Sequence, residues 1–385
     1  MTSWSALRTD VRVLHVFKLY LPFRGGIISV IEALVKGLRN DVDASVLVAA
    51  ERGLGRSEVV DGVPVQRTSS AGQLMALPVA PTLPFWFWTG ARRVDIVDYH
   101  YPFPLADLAT SLWFPSGTAL VVHWHSDIVA QRRTGRLLAP FIRRCLRRAD
   151  RIIAATPFHI EQSPILSDFR SKCEVVPYGI NVAAWASVES EQVERIDRLR
   201  AKHPRLILAV GRLVPYKGFE NLIRAMPGVD GQLTIVGTGP LRSGLQRLAE
   251  TLGVASRVTF EEHASADQLK TLMHACRMLV LPSVGRNEAF GMVQLEAMAC
   301  AKPVVNTSIH GGVAWVARDG REGLTVPPDN VDALSRAVNR LLDDSDEARR
   351  LGEQGYARVC AEFTLERFTE RTLAVYRNVL AARRQ

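Results

Sequence analysis

The sequence predicts an α/β protein made of two Rossmann-like domains, each with a parallel sheet covered by helices on both faces. Short apolar runs of strand length alternate with helical stretches from residue 11 to residue 180, a pattern typical of parallel sheets. A charged helical segment at 187–203 interrupts the pattern, and the alternation begins again at Arg205. A chain of 385 residues also fits two domains. We therefore place an N-terminal domain at 1–183 and a C-terminal domain at 184–364.

The composition is that of an ordinary globular protein with a basic surface. Hydrophobic residues make up 47%, charged residues 23%, and the formal net charge is +9. The five cysteines show no CxxC pair and no metal-ligand spacing, which fits reduced thiols in the cytoplasm. We find no secretory signal before the first strand-like run and no stretch long and charge-free enough to span a membrane. These features predict a cytoplasmic location.

The N-terminal half begins with a strand, a glycine pair and a helix. Strands are expected from apolar runs at 11–17, 44–49, 63–67, 96–98, 120–125, 151–155 and 175–180. Gly25 and Gly26 follow the first run and precede an amphipathic helix at 29–38. Glycines at a helix N-terminus let a phosphate approach the backbone closely. The alternative is a tight turn, because this pair matches neither G-x-G-x-x-G nor a P-loop.

The segment His123-Trp-His125-Ser-Asp127 closes one of these strands. Ligands of open α/β sheets bind at the carboxyl ends of strands, so we assign His125 and Asp127 to a ligand site. His123 shares a strand face with His125, and we interpret it as a core residue. The H-x-H-x-D order also resembles a metal-binding motif of metallo-β-lactamase-like hydrolases, but Ile128 stands where that motif has a further histidine. We predict no metal site, because the sequence offers no second cluster of ligands.

A basic segment follows. Eight arginines lie between Arg132 and Arg151 against one acid, Asp150, and 137–146 has helical periodicity. A solvated helix face is the usual explanation, and the aromatic run at 85–88 is equally well explained as core. The functional alternative for both is contact with an anionic membrane surface. Basic surfaces also attract nucleic acid, which we do not expect as a partner here.

The C-terminal half repeats the α/β pattern and adds a pair of cations. Strands are expected at 205–210, 233–236, 258–261, 279–281, 304–307 and 323–328. Arg212 and Lys217 lie on a loop between the first of these strands and a helix, where two cations suit a diphosphate. The alternative is two surface cations. Gly237 begins a Gly-Thr-Gly turn after the second strand, which fits a turn facing a nucleotide.

Two glutamates mark the segment around which the C-terminal half is organised. Glu288 precedes an apolar helix that we expect to begin near Phe290 or Gly291, and Glu296 lies within that helix. Carboxylates at two heights along a helix N-terminus suit a ligand with hydroxyls at both ends, such as a nucleotide sugar. A loop charge and a surface residue are the alternative. Glu296 interrupts an apolar helix, and a buried carboxylate needs a partner, so we favour the ligand.

The string from Glu288 to Glu296, followed by Lys-Pro-Val-Val, resembles the E-x7-E signature of retaining GT-B glycosyltransferases of family four, group 1. The segment from Gly211 to Gly218 resembles the GR-x5-KG segment of the same family, and the resemblance covers almost the whole chain. It implies two Rossmann-like domains facing a central cleft. The N-terminal domain would take the acceptor, with a last helix at 365–385 packing back on it, and the C-terminal domain would take the donor.

The resemblance also implies roles for individual residues. His125 and Glu288 would contact the transferred sugar, Arg212 and Lys217 the diphosphate, and Glu296 the ribose. Asp127 would lie on the acceptor side. The remaining donor contacts implied by the family are Gly25, Gly26, Gly237, His263, Ala289, Phe290, Gly291, Met292 and Val293. The chain departs from the family at Ile28 and Asn181, where related chains often carry an acid.

The strings HWHSDIV, DYHYPFPLADLA and GRLVPYKGFENLI look like those of bacterial mannosyltransferases of exopolysaccharide and O-antigen assembly. We therefore expect mannose transfer from GDP-mannose to a polyprenyl-diphosphate-linked glycan, with the nucleotide sugar as substrate and no cofactor. A UDP-hexose donor is the alternative. A nucleotide-sugar epimerase would need a second carboxylate arrangement that we do not find. A non-catalytic binding protein is disfavoured by the intact set of Arg, Lys, Glu and His residues.

Overall fold

A computed structural model describes residues 11–23, 25–74, 77–127 and 132–385. The chain divides into two compact units, one formed by 1–178 with 365–385 and the other by 179–364. Each unit has its own sheet and its own apolar core. In the part of the chain that the structure describes, no helix is long and apolar enough to cross a membrane.

The first unit contains the following strands and helices, labelled in chain order. The strands are β1 (Arg12–Val16), β2 (Asp43–Ala49), β3 (Arg56–Val60), β4 (Val63–Thr68), β5 (Gln73–Leu74), β6 (Leu77–Pro78), β7 (Ile96–Tyr101), β8 (Ala119–Trp124), β9 (Arg151–Ala154) and β10 (Cys173–Val175). The helices are α1 (Gly26–Gly37), α2 (Leu83–Ala91), α3 (Pro104–Leu112), α4 (Arg132–Arg148), α5 (Pro157–Gln162) and α15 (Leu365–Arg384), with a 3-10 helix at Leu166–Lys172.

An eight-stranded sheet in the order β10-β9-β8-β7-β1-β2-β4-β3 is the centre of this unit. Neighbouring strands are parallel, except that β3 and β4 form an antiparallel hairpin at one edge. The short hairpin of β5 and β6 lies outside this sheet. All six residues of β7 and all six of β8 are buried, as expected of central parallel strands with both faces covered.

The second unit contains a six-stranded parallel sheet. Its strands are β11 (Leu206–Val210), β12 (Gln232–Val236), β13 (Val258–Glu261), β14 (Met278–Leu281), β15 (Val304–Thr307) and β16 (Gly323–Val326). They pair in the order β13-β12-β11-β14-β15-β16. The helices are α6 (Val182–Ala186), α7 (Ser190–Lys202), α8 (Phe219–Ala225), α9 (Arg242–Thr251), α10 (Ala266–Ala275), α11 (Met292–Ala299), α12 (Val313–Val316), α13 (Val331–Asp343) and α14 (Ser345–Glu362). Three short 3-10 turns complete it, at Pro215–Lys217, Met226–Gly228 and Ala255–Arg257.

Helix α13 shows how the sequence determines local structure and packing together. Its buried residues recur at helical spacing, so they form one apolar stripe against the sheet. They are Leu334, Ala337, Val338, Leu341 and Leu342. Asn330 caps the N-terminus by accepting a hydrogen bond of 2.8 Å from the backbone N–H of Ala333. Each large apolar side chain in such a stripe contributes about 1.5–3 kcal/mol when buried.

The observed elements follow the predicted ones closely, with three informative differences. The strand predicted at 175–180 is wrong, because β10 is Cys173–Val175 and ends where the predicted run begins. Helix α1 begins at Gly26, three residues before the predicted start at 29, so both glycines lie at the helix terminus itself. Strand β3 was not predicted, because Arg56–Val60 is an exposed edge strand with only half-buried or exposed residues. Edge strands lack the apolar run that identifies a central strand.

Candidate active site

The loop before α11 places the N-terminus of this helix at the edge of the second sheet. Gly291 is the N-cap and has φ of 75°, a left-handed conformation that glycine adopts without strain. A Cβ atom there would lie 2.7 Å from the Leu281 side chain. The backbone N–H groups of Met292 and Val293 open the helix, so no helical carbonyl is available to them. Five predicted donor contacts, Ala289 to Val293, lie on this turn.

Glu288 lies just before this helix end and is paired with a cation. Its carboxylate Oε2 lies 2.5 Å from the Nζ atom of Lys217 and accepts a hydrogen bond of 3.3 Å from the Ser283 hydroxyl. Glu288 is only 8% exposed. A pair this far out of water interacts more strongly than one on the surface. The predicted sugar-facing carboxylate and the predicted phosphate-binding cation therefore lie at one place in the second unit.

Glu296 lies about one turn into α11 and is half-buried. Burial raises the pKa of Glu296 to about 7, an effect that the positive charge of Lys217 partly opposes. Among the described residues, none forms a hydrogen bond or an ion pair with its carboxylate. A desolvated carboxylate without a donor is energetically unfavourable. The arrangement leaves this acceptor available to a ligand with hydroxyl groups.

The loop after β11 carries the other predicted cation. The guanidinium of Arg212 is exposed and donates a hydrogen bond of 3.3 Å to the hydroxyl of Tyr216. The Tyr216 carbonyl in turn accepts from the N–H of Val284, at 2.8 Å, which ties this loop to the loop of Glu288. Gly218 makes the close approach feasible, since a Cβ there would lie 2.0 Å from the Pro282 carbonyl oxygen.

The other predicted residues of the second unit take separate positions. Gly237 packs directly on the loop of Arg212, where a Cβ atom would lie 2.0 Å from the Gly211 carbonyl oxygen. His263 is exposed on the loop after β13. The ring of Phe290 is buried and packs edge-on against Phe363, so any ligand contact at this position comes from its backbone. Asn181 caps α6 by accepting from the Ala184 N–H at 3.0 Å, as an aspartate would.

In the first unit, Gly25 and Gly26 begin α1 and are exposed, and a Cβ atom added to either would have open space around it to 4 Å. Ile28, where related chains often carry an acid, is buried instead. Asp127 accepts a hydrogen bond of 2.7 Å from the Ser163 hydroxyl. The phosphate contact of Gly25 and Gly26 stays a prediction, for which an open helix terminus leaves room.

His125 is more deeply built into the first unit than the sequence suggested. It is 4% exposed, its Nε2 lies 2.9 Å from Nδ1 of His100, and its Nδ1 lies 2.5 Å from the hydroxyl of Tyr178. Because both ring nitrogens are engaged, an imidazole contact with a sugar requires one of these bonds to be exchanged. A contact between the sugar and the backbone of the segment after β8 does not require a His125 ring hydrogen bond to be exchanged.

His123 occupies the core, buried to 1% exposure, with its Nδ1 atom 2.7 Å from Asp98. The other residues of the H-x-H-x-D segment have partners of their own: His125 bonds to His100 and Tyr178, and Asp127 to Ser163.

Sequence reasoning missed the residues that surround His125. Asp98 and His100 lie in the fully buried strand β7, and Tyr376 lies on α15 with its hydroxyl 2.5 Å from Asp98. A signal was available: a charged residue and a histidine alternate within an otherwise apolar strand, and a buried charge requires partners. The partner on α15 is 278 residues away in sequence, and no local pattern indicates it.

Comparison with known proteins shows the family to which the chain belongs. Residues 190–358 match the family "Glycosyl transferases group 1", and residues 25–179 match "Glycosyl transferase 4-like domain". The chain is 32% identical to the D-rhamnosyltransferase WbpZ of Pseudomonas aeruginosa over 92% of each chain. It is 30% identical to the O-antigen chain mannosyltransferase C of Escherichia coli over 97% of this chain and all of that one. The chain belongs to the group 1 glycosyltransferases.

This glycosyltransferase also shares its fold with solved structures. Anabaena HepE, crystallised in complex with UDP-glucose, superposes with a TM-score of 0.79 at 20% sequence identity, over 96% of this chain and all of that one. The predicted GT-B fold, with two α/β domains on parallel sheets, is confirmed. The prediction that the protein is a hexosyl-transferring enzyme is confirmed by its family and by the names of its relatives.

Proposed function

We propose that this glycosyltransferase moves mannose from GDP-mannose to a hydroxyl of a polyprenyl-diphosphate-linked glycan, with retention of configuration, in bacterial polysaccharide assembly. The observation that carries the proposal is the Lys217–Glu288 pair beside the N-terminus of α11. Further along that helix lies Glu296, whose carboxylate has no hydrogen-bond or ion-pair partner among the residues that the structure describes. The choice of mannose is supported by the relative named as an O-antigen chain mannosyltransferase, which aligns over 97% of this chain. A UDP-hexose donor is the alternative.

The reaction breaks the bond between the anomeric carbon and the diphosphate oxygen, and forms a bond from that carbon to the acceptor oxygen. The electron pair of the broken bond stays on the diphosphate. Lys217 and Arg212 offset this growing negative charge, a role that makes their contacts strongest in the transition state. The departing phosphate oxygen accepts the proton of the acceptor hydroxyl on the same face of the sugar, which retains the configuration.

The Lys217–Glu288 pair suggests how the donor organises the site. Lys217 has Glu288 as its counter-ion at 2.5 Å. A diphosphate brings a stronger anion to the same ammonium, so Glu288 becomes free to accept hydrogen bonds from sugar hydroxyls. The exchange couples diphosphate binding to sugar binding. Glu296 then receives the ribose hydroxyls, which supply the donors its carboxylate lacks.

Incubation with radiolabelled donors tests the proposal. We expect labelled mannose to pass from GDP-mannose to a polyprenyl-diphosphate-linked glycan, and NMR of the product to show the same anomeric configuration as the donor. Stabilisation in a thermal-shift assay by GDP and not by UDP would agree with this donor. Transfer from a UDP-hexose alone would establish the alternative. An isomerised donor without transfer would indicate an epimerase, and binding without chemistry a sugar-nucleotide binding protein.

We further propose that the first unit binds the surface of an anionic membrane, where such an acceptor would lie. Helix α3 packs against both α2 and α4. Large apolar side chains are exposed on α2 and at the end of α3, namely Phe85 (61%), Trp86 (39%), Trp88 (37%), Leu112 (47%) and Trp113 (57%). Aromatic residues are typical of membrane interfaces, and exposed apolar groups of this size often mark contact sites.

Arginines next to these aromatics supply charge. Arg92 lies over the Trp88 ring at 4.7 Å. On α4, Arg144 and Arg148 donate to neutral backbone carbonyls of α3, so their charges are not cancelled by acids. Arg143 and Arg151 are instead paired with Asp168 and Glu174. The side chains of Arg132, Arg133 and Arg136 lie outside the described residues. Fewer arginine charges are therefore available for an anionic membrane than the sequence predicted. The exposed aromatic side chains would supply a larger part of the membrane contact.

A further inference from the structure

A cluster of buried polar groups lies in the core of the first unit, at the carboxyl ends of three neighbouring strands. His15 is on β1, Asp98 and His100 are on β7, and His123 and His125 are on or directly after β8. None of the five is more than 4% exposed. The rings of His100, His123 and His125 lie close together and are nearly parallel, with angles of 5° and 11° between the plane of His100 and those of His123 and His125. Burying so many polar groups is unfavourable unless each is bonded.

A continuous chain of hydrogen bonds leads from Tyr178 inward through His125. From the His125 ring it passes to Nδ1 of His100, and Nε2 of His100 lies 3.1 Å from Nδ1 of His15. His15 Nδ1 is also 3.4 Å from Oδ2 of Asp98, whereas Nε2 of His100 is 3.8 Å from that oxygen, too far for a hydrogen bond. Asp98 is therefore connected to His125 through His15 and His100.

Asp98 anchors the inner end of this chain. Its carboxylate accepts from Nδ1 of His123 at 2.7 Å and from the hydroxyl of Tyr376 at 2.5 Å. Burial alone would raise the pKa of Asp98, but the neighbouring His123 and His100 and the hydrogen bonds from His123 and His15 outweigh it, so its pKa lies well below the usual range. An ionised carboxylate accepts hydrogen bonds and cannot donate them.

This acceptor determines where the imidazole protons lie. The Nε2 atom of His15 has no partner within the described residues, so its proton is placed on Nδ1, which faces Asp98 and His100. Burial holds the pKa values of His100 and His125 well below the usual range, so both are neutral. Nε2 of His100 then accepts from His15, and its Nδ1 donates to Nε2 of His125. The remaining proton of His125 lies on Nδ1 and points to Tyr178.

We propose that Asp98 and Tyr376 are positioning residues for the transfer reaction, because they set the tautomer and the ring orientation of His125 through His15 and His100. The proposal rests on the proposed function in one respect: His125 and the backbone after it border the transferred sugar. Tyr376 lies on α15, so hydrogen bonds through Asp98 link the last helix of the first unit to His125.

Three variants of the full chain test this proposal. Asp98→Asn replaces an acceptor by a group that also donates, and Tyr376→Phe removes one donor from Asp98. Thr372→Val is the matched control: its hydroxyl is also buried on α15, one turn earlier, and bonds to the Phe368 carbonyl of its own helix. Nitrogen-15 NMR of the histidine rings, without donor, reports the tautomer of each imidazole independently of activity.

We expect His125 to carry its proton on Nδ1 in the wild type and in Thr372→Val, and to show mixed tautomers in Asp98→Asn. With donor and acceptor, kcat should fall at least about fivefold in Asp98→Asn and in Tyr376→Phe, with less change in donor KM. If Asp98→Asn does not fold, the proposal is tested with Tyr376→Phe, by measuring its kcat and the nitrogen-15 resonances of its His125 ring. Unchanged tautomer and unchanged kcat in the folded variants would overturn the proposal.

Two further outcomes separate this proposal from others. The atoms of His15, Asp98 and His100 that face one another lie within 4.8 Å, a spacing that a metal ion could also bridge. Stoichiometric zinc in the purified wild type, lost in Asp98→Asn, would overturn the hydrogen-bond assignment. If the wild type transfers no mannose from GDP-mannose, the proposed function is wrong. The tautomer of His125 is measured without donor, so that result tests the hydrogen-bond assignment independently.

Discussion

The ammonium of Lys217 and the carboxylate of Glu288 form an ion pair of 2.5 Å at the entrance of α11, although 71 positions separate them in sequence (288 − 217). This ion pair joins two groups that the family resemblance assigns to different parts of the donor, Lys217 to the diphosphate and Glu288 to the transferred sugar.

Removing either cation should slow catalysis strongly. We predict that Lys217→Ala and Arg212→Ala each lower kcat at least about tenfold at saturating donor, because each loses a charge-assisted contact worth roughly 1.5–3 kcal/mol. Arg224→Ala is the control, since Arg224 is a surface cation paired with Glu220 on α8. Steady-state kinetics with labelled donor measure the effect. Wild-type turnover in both site variants would refute the assignment.

Substitution of Glu288 and of Glu296 should affect different steps, one catalysis and the other nucleotide binding. Glu288→Gln removes an acceptor at the transferred sugar and should lower kcat with little change in nucleotide affinity. Glu296→Gln should weaken binding of GDP, which calorimetry measures without any acceptor. The reverse pattern, or wild-type behaviour of both variants, would show that the donor lies differently along α11.

The raised pKa of Glu296 predicts a pH-dependent stability. Its pKa is about 7 in the folded protein against an ordinary 4.5, so the folded state holds this proton more tightly than the unfolded state. The stability contributed by the bound proton is fully present below pH 4.5 and is lost as the pH rises through 7. Glu296→Gln should therefore stabilise the donor-free protein at pH 8, by at most about 3 kcal/mol, and much less at pH 5.

Thermal unfolding at the two pH values measures this difference. Glu288→Gln provides a control of opposite sign, because it leaves the ammonium of Lys217 without its carboxylate and should lower the melting temperature at pH 8. A Glu296→Gln variant that is no more stable than wild type at pH 8 would mean that the Glu296 carboxylate has a donor in solution. The expected variant combines higher stability with weaker nucleotide binding, as is common for binding residues.

Transfer should survive chelation. We predict that activity measured after dialysis against EDTA equals activity before it, because Arg212 and Lys217 supply the positive charge that a metal ion provides in metal-dependent transferases. Loss of activity on chelation, with recovery on adding a divalent ion, would contradict this prediction and direct attention to the histidine cluster around Asp98.

Membrane binding should depend on the exposed aromatics of α2. We predict that wild-type protein floats with anionic liposomes, that binding weakens at high salt, and that Trp86→Ala with Trp88→Ala reduces it at least about fivefold. Tyr356→Ala, which removes an exposed aromatic residue from the second unit, is the control. Equal binding of wild type to neutral and anionic vesicles, or no binding, would contradict the proposal.

Most of the fold could be predicted from sequence because its strands are buried on both faces. The predicted run at 304–307 matches β15 residue for residue, and all four of its residues are buried. Such strands are continuous apolar segments bounded by polar turns, which is the signal that identifies them. The edge strand β3 lacks this signal, and the start of α1 was misplaced because glycines normally disfavour helix.

The candidate site was predictable where its residues are close in sequence. Glu288 and Glu296 lie on one helix and the turn before it, and Arg212 and Lys217 on one loop, so spacing alone brings each pair together. The contact of Lys217 with Glu288, and that of Tyr376 with Asp98, arise from tertiary packing and leave no local pattern. The engagement of both nitrogens of His125 likewise depends on partners from other strands and loops.

Helix α15 follows the second unit along the chain but belongs to the first. The second unit is thus an insertion within the first, and during synthesis the ribosome must complete residues 365–384 before the first unit can close around Asp98. Until then Asp98 lacks the hydroxyl of Tyr376, whereas all of 179–364 is already available to fold. A nascent chain stopped after 364 should consequently hold a folded second unit attached to an unfinished first unit, the reverse of the order in which the two units begin along the chain.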